Sequence, residues 1–248
     1  MHETIQLYLD ILYKHSVKTT KILDLNELLQ NKIVNTYKSE AMKVGGNFLQ
    51  PYELSEIYQD GCKILSWFVD HRNKFFKKSG WKLFSIEEEL FIPIDKNLIF
   101  KGYIDIVLHN TKTDEYKIID LKTSYRGWKD NKKKDIFTRA QLGLYKYYFA
   151  KKHNVAISNI TTEFIILKRK VWENSDFPQP RVSKFEPPTG TASINKYVKL
   201  VNDFINVGFN DDGTHNIERK YPIAKYVKSC KYCAFKDPGE NQCPKWKK

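Results

Sequence analysis

Apolar residues recur along the chain first with a helical period and then with a strand period. Residues 2–14 (HETIQLYLDILYK) place Ile5, Leu9 and Leu12 on one stripe beside Tyr8, which predicts a helix. Residues 24–38 open on Asp24 as an N-cap and repeat apolar positions at Leu25, Leu28, Leu29 and Ile33. Gly45-Gly46 breaks the pattern. Pro51 then opens a third helix, expected over about 52–78 and closed by Gly80. After it the period shortens. Residues 83–94, 98–109 and 115–123 alternate or run apolar, with turn signals at Asp95-Lys96-Asn97 and Asn110–Asp114, and predict three consecutive antiparallel strands. A basic loop follows at 124–137. A helix is expected over about 138–152 and a strand over 160–170. Four prolines between 178 and 188 mark a long loop, and a last helix covers about 193–207. The order helix, three strands, helix, strand is an α/β layout, with helices covering a small mixed sheet.

Composition narrows the function classes. In 248 residues, 42 Lys and Arg face 29 Asp and Glu, a net charge of +13 that suits a polyanionic partner. Apolar residues make up 41% and aromatics 14%, enough for a packed core, so wholesale disorder is excluded. No apolar run reaches membrane-spanning length. The start, with Glu3 and Asp10, lacks the basic-then-apolar pattern of a secretory signal. Four cysteines are too few for a disulfide scaffold. A soluble, cytoplasmic protein with no membrane association is expected.

Two strands carry the candidate chemistry. Asp105 lies in Gly102-Tyr103-Ile104-Asp105, and Asp120 and Lys122 lie in Ile118-Ile119-Asp120-Leu121-Lys122. Residues two apart on a strand share a face, and neighbouring strands are about 4.8 Å apart. Asp105 can therefore stand beside Asp120 and share a divalent ion with it. Hard oxygen ligands suit Mg²⁺ or Mn²⁺. Such an ion would acidify a water and neutralise charge at a phosphate, while Lys122 orients the nucleophile. A D-x-K in a Lys-rich chain also forms ordinary solvated strand edges. The apolar neighbours Ile104, Ile106, Ile118 and Ile119 favour the first reading, because a carboxylate among them is costly unless paired. Glu89 reads as a structural strand-face carboxylate. On the next helix Gln141 and Tyr145, four apart, share a face and could meet phosphate or backbone, although Tyr145 also fits an aromatic core stripe. In the basic loop Arg126, Lys129, Lys132, Lys133 and Lys134 surround Trp128. That is the composition of a groove that holds single strands by charge and base stacking, and equally of a solvated charge run. Lys168, Arg169 and Lys170 could extend the same face.

G-Y-I-D, about fifteen residues, I-D-L-K-T and then Q-L-G-L-Y, in that order, resemble the PD-(D/E)XK nuclease superfamily. They are most similar to its RecB-like exonuclease branch, which includes CRISPR-associated exonucleases and short phage nucleases. The resemblance implies a restriction-endonuclease-like core with an N-terminal helical region and a Cys-containing C-terminal tail. The corresponding layout is a helical region at 1–80, a nuclease core at 81–172 and a C-terminal helix and tail at 173–248, in one compact domain. It also implies an ion held by Asp105, Asp120 and the Leu121 carbonyl, catalysis with Lys122, DNA contacts by Gln141 and Tyr145, and exonuclease action on single-stranded ends. A structure-selective endonuclease and a silent DNA-binding module are the alternatives. The family carries a metal-ligating His in a stretch whose end is matched by Met1-His2-Glu3-Thr4-Ile5-Gln6, so His2 is implied as a ligand. With no counterpart here of the family's preceding segment, the expectation is either an N-terminally shortened version or an incidental His2. The stand-alone size and Lys- and Asn-rich composition suggest a phage source.

Cys230, Cys233 and Cys243 form C-x₂-C-x₉-C. In the RecB-like branch such cysteines join one from the N-terminal segment around a [4Fe-4S] cluster. A zinc site with a non-Cys fourth ligand and three reduced thiols are the other open readings. Cys62, among apolar neighbours, reads as a buried core residue.

Overall fold

A computed structural model describes residues 1–174, 176–219 and 233. Helix α1 (His2–Lys14), the single turn α2 (Val17–Thr20), α3 (Leu25–Val44) and α4 (Pro51–His71) precede the sheet. Strands β1 (Trp81–Pro93), β2 (Ile99–Asn110) and β3 (Glu115–Ser124) follow, then α5 (Asp130–Lys134), α6 (Ile136–His153), β4 (Ile160–Lys168), β5 (Val182–Phe185) and α7 (Thr191–Gly208). The five strands lie in sequence order. Pairing is antiparallel from β1 to β3, parallel between β3 and β4, and antiparallel between β4 and β5. A parallel pair needs a crossover, and α6 supplies it. The expected α/β core is therefore present.

Local chemistry explains the element ends. Asp24 accepts the Asn26 and Glu27 N–H groups, capping α3, and Gly45 at φ 73° closes it in the left-handed conformation. Lys96 and Asn97 both take positive φ, which lets the β1–β2 hairpin close tightly. Apolar layers cover both faces of the sheet. On one side Ile5, Leu9, Leu12, Leu29, Leu65 and Phe68 of the N-terminal helices pack on Ile106, Leu108, Ile119, Leu121, Ile165 and Leu167. On the other, Leu142 and Phe149 of α6 pack on Leu90, Ile104, Ile118, Phe164 and Ile166. Burial on both faces is why β3 and β4 read as apolar runs and not as alternation.

Three expectations need correction. The third helix ends at His71, followed by a 3-10 turn over Arg72–Lys74, because Phe75 and Phe76 turn back into the core. The basic loop contains the short helix α5. The Pro-rich loop contains β5, a four-residue edge strand whose Val182 is buried. Prolines on both sides obscure its pattern.

Candidate active site

The site forms where two strands part. The β2–β3 ladder runs from Asn110↔Glu115 to Ile106↔Ile119 and stops there, whereas β1 and β2 stay paired to Pro93↔Ile99. Asp105 is the first β2 residue beyond the ladder. Its Oδ2 accepts the Leu121 N–H at 2.6 Å, so a side chain takes over where strand pairing ends. Asp120 is buried and sits across the opening. Lys122 Nζ stands 2.7 Å from Asp120 Oδ2, an ion pair out of line for a hydrogen bond, so that buried oxygen keeps no aligned donor. Asp120 Oδ1 accepts from Gln141 Nε2 at 3.0 Å, and Gln141 also donates to Tyr145 Oη at 3.3 Å. Gln141 thus touches the carboxylate directly, and Tyr145 is tied to it through Gln141. Gly102 makes room for Tyr145: a Cβ there would lie 2.8 Å from Tyr145 Cε1.

His2 reaches the same opening from α1, with Nδ1 3.8 Å from Asp105 Oδ2. Sequence reasoning missed two neighbours. Gln6, buried on α1, donates to the Asp105 carbonyl at 3.1 Å and to Glu87 Oε1. Glu87 lies on β1 between Ile86 and Glu88, which pair with Ile106 and Ile104, so it faces Asp105 across the hairpin. Its φ of 50° is a left-handed kink inside a strand. Strain of this kind costs of order 1–3 kcal/mol and collects at functional sites. The acidic run 87–89 was the available signal, but only register separates its members. Glu88 is bound by Lys152 and His153, and Glu89 by Tyr103.

Burial dominates the electrostatics. It pushes the Asp120 carboxyl up to about 7; Lys122 opposes this, and Asp105 and Glu87 add to it. Burial also raises Asp105, against the Leu121 N–H and Lys122. Burial, with the N-terminal ammonium and Lys122, lowers the His2 imidazole to about 4. His2 is therefore neutral near pH 7, the form that ligates metals. Among the described residues, no three His, Cys, Asp or Glu side chains are already gathered as a metal cluster. The donor chemistry nevertheless fits a hard divalent ion. Two adjacent carboxylates share the Lys122 ammonium, the buried Asp120 Oδ2 has no hydrogen-bond partner, and a neutral imidazole stands beside them.

The basic segment borders this opening. A groove of about 400 Å³ is lined by Lys122, Thr123, Trp128, Lys132, Asp135, Phe137, Thr138 and Gln141. Trp128 is half-buried and packs on Phe164 and Phe185 at centroid distances of 5.0 and 6.0 Å. It is a fixed wall and not an open stacking platform. Lys132 Nζ lies 5.9 Å from its ring. Lys129 and Arg126 are exposed, and the Arg126 guanidinium sits 4.4 Å from the Trp172 ring. Lys133 is half-buried; burial, and then the nearby Lys133 charge, lower Lys168. Arg169 and Lys170 instead hold the buried Asp60 at 3.0 and 2.8 Å. Cys230 and Cys243 lie outside the described residues. Cys233 is half-buried, and Cys62 is partly buried against the core.

A family model described as the PD-(D/E)XK nuclease superfamily matches residues 1–238. The chain belongs to the PD-(D/E)XK nuclease superfamily. Membership agrees with the mixed sheet and with the parted strands that present Asp105, Asp120 and Lys122. Proteins of this superfamily are phosphodiester-hydrolysing nucleases that generally use Mg²⁺ or Mn²⁺. No curated protein matches the chain. No helix among the described residues is long and apolar enough to cross a membrane.

Proposed function

We propose that this member of the superfamily is a metal-dependent deoxyribonuclease of the RecB-like type that degrades single-stranded DNA from its ends. The observation that carries this reading is the convergence of Asp105, Asp120, Lys122 and Gln141 at the strand opening, beside a groove with lysines on its rim. Asp105, Asp120, the Leu121 carbonyl and neutral His2 would hold Mg²⁺ or Mn²⁺. When bound, the ion supplies Lewis acidity and neutralises charge on the scissile phosphate.

The chain's own residues do the rest. The Lys122 ammonium, a third exposed, can both hold the attacking water and donate to a phosphate oxygen as charge builds in the transition state. Gln141 fixes the Asp120 carboxylate, and with Tyr145 it presents hydrogen-bonding groups to the strand. Gln6 braces Asp105 through its backbone carbonyl and links it to Glu87. Arg126, Lys129, Lys132 and Lys133 would meet the phosphate backbone beside the wall that Trp128 forms. These contacts carry charge and shape but no base-edge code, so cleavage is expected to show little sequence preference.

End-labelled linear and closed circular single strands test the mode of action. Loss of the linear strand alone supports an exonuclease. Cutting of circles moves the reading to an endonuclease with the same chemistry.

A further inference from the structure

The groove beside the active site carries an exposed aromatic ring that the roles above leave unused. Phe137 is 74% exposed, close to the start of α6. A single exposed hydrophobic residue is ordinary by itself, so the meaning lies in its position. Phe137 lines the same groove as Lys122 and Gln141, and it precedes Gln141 by one helical turn. The groove's opposite chemistry is also in place. Lys132 is exposed on the rim, and the fixed Trp128 ring forms part of the wall. The acidic lining residue, Asp135, is occupied: its carboxylate accepts the Thr138 N–H and Oγ1 at 2.8 and 2.6 Å and caps α6. The groove therefore offers an aromatic face and an exposed cation in the same cleft as Lys122. About 400 Å³ lies in the size range of small-ligand clefts.

We infer that this groove binds an unpaired nucleobase next to the scissile phosphate, with Phe137 as the stacking surface and Lys132 on the adjoining phosphate. The inference rests on the nuclease reading and deepens it. A base in a duplex is paired as well as stacked, so a single strand places one here at the smallest cost. Phe137 then becomes a specificity-determining residue that favours single-stranded over blunt duplex substrate.

The test uses full-length protein and single-stranded oligonucleotides carrying 2-aminopurine at successive positions from each end. Stacking is read as fluorescence quenching, and cleavage as KM and kcat on the same strands. The expected result is quenching at one or two adjacent positions. Phe137→Ala should lose that quenching and raise KM roughly tenfold, in line with the usual worth of base–aromatic stacking, with kcat little changed. Phe137→Trp should restore both. The side chain is exposed, so the variants should melt with the parent, which circular dichroism checks. Unchanged quenching and KM in Phe137→Ala would overturn the inference. A parent protein that quenches the strand and loses this on Phe137→Ala, yet never cuts, would support the stacking site and overturn the nuclease reading. Failure of the parent to bind the strand at all would overturn both.

Discussion

Asp120→Asn should stabilise the metal-free protein at alkaline pH. The wild-type carboxyl is 3% exposed, and burial raises its pKa from 3.8 to about 7 despite Lys122. A carboxyl raised in the folded state binds its proton more tightly there than in the unfolded chain. Stability from this group is therefore fully present below pH 3.8 and is lost as pH rises through about 7. At 1.36 kcal/mol per pH unit, the full loss is about 4 kcal/mol. About 3 kcal/mol of it should fall between pH 4.5 and pH 8. Asparagine keeps an oxygen for Gln141 and has nothing to ionise. Lys122 loses its partner but is a third exposed and can rehydrate. Urea unfolding in EDTA, followed by tryptophan fluorescence at pH 4.5 and pH 8, measures the effect as a difference between two differences, so titrating groups remote from Asp120 cancel. The wild type should lose about 3 kcal/mol more than the variant over this interval. Parallel pH dependences would refute the argument, since they would mean that Asp120 is not held in a costly buried state.

Two further outcomes follow from the same geometry. At pH 8, saturating Mn²⁺ should raise the melting temperature of the wild type, by the equivalent of about 2.7 kcal/mol at a hundredfold excess over Kd; Asp105→Asn should respond far less, and an equal rise in both proteins would place the ion elsewhere. Gly102→Ala puts a methyl group 2.8 Å from Tyr145 Cε1 and should displace the Tyr145–Gln141 pair. Strand affinity measured by fluorescence anisotropy should then fall several-fold, at a cost in stability of about 1–3 kcal/mol.

What the sequence reveals here depends on how local the determining forces are. The long helices and the first four strands follow from hydrophobic period and turn chemistry, and these act within a few residues. Asp105, Asp120 and Lys122 are readable because their motif spacing is a property of adjacent strands. Glu87 and Gln6 are not, because their contact joins residues 81 apart and depends on hairpin register and on where α1 docks. The bond from Gln141 to Asp120 is equally hidden, because the crossover of α6 sets it. Trp128 and Phe137 show the same limit. Both are aromatic residues in a basic stretch, and only tertiary packing makes the first a wall and leaves the second exposed. The edge strand β5 is hidden by its prolines and its length of four residues.

Asp120's place in an ion-dependent cleavage centre underlies the proposed function. Its most direct test is cleavage of end-labelled single-stranded DNA by the wild type and by Asp120→Asn, each with Mg²⁺, Mn²⁺ or EDTA and with strand binding measured alongside. The wild type should cut only with a divalent ion, and the folded variant should bind the strand while losing at least about a hundredfold in rate. Cleavage that persists in EDTA, or a variant that cuts as fast as the wild type, would contradict it.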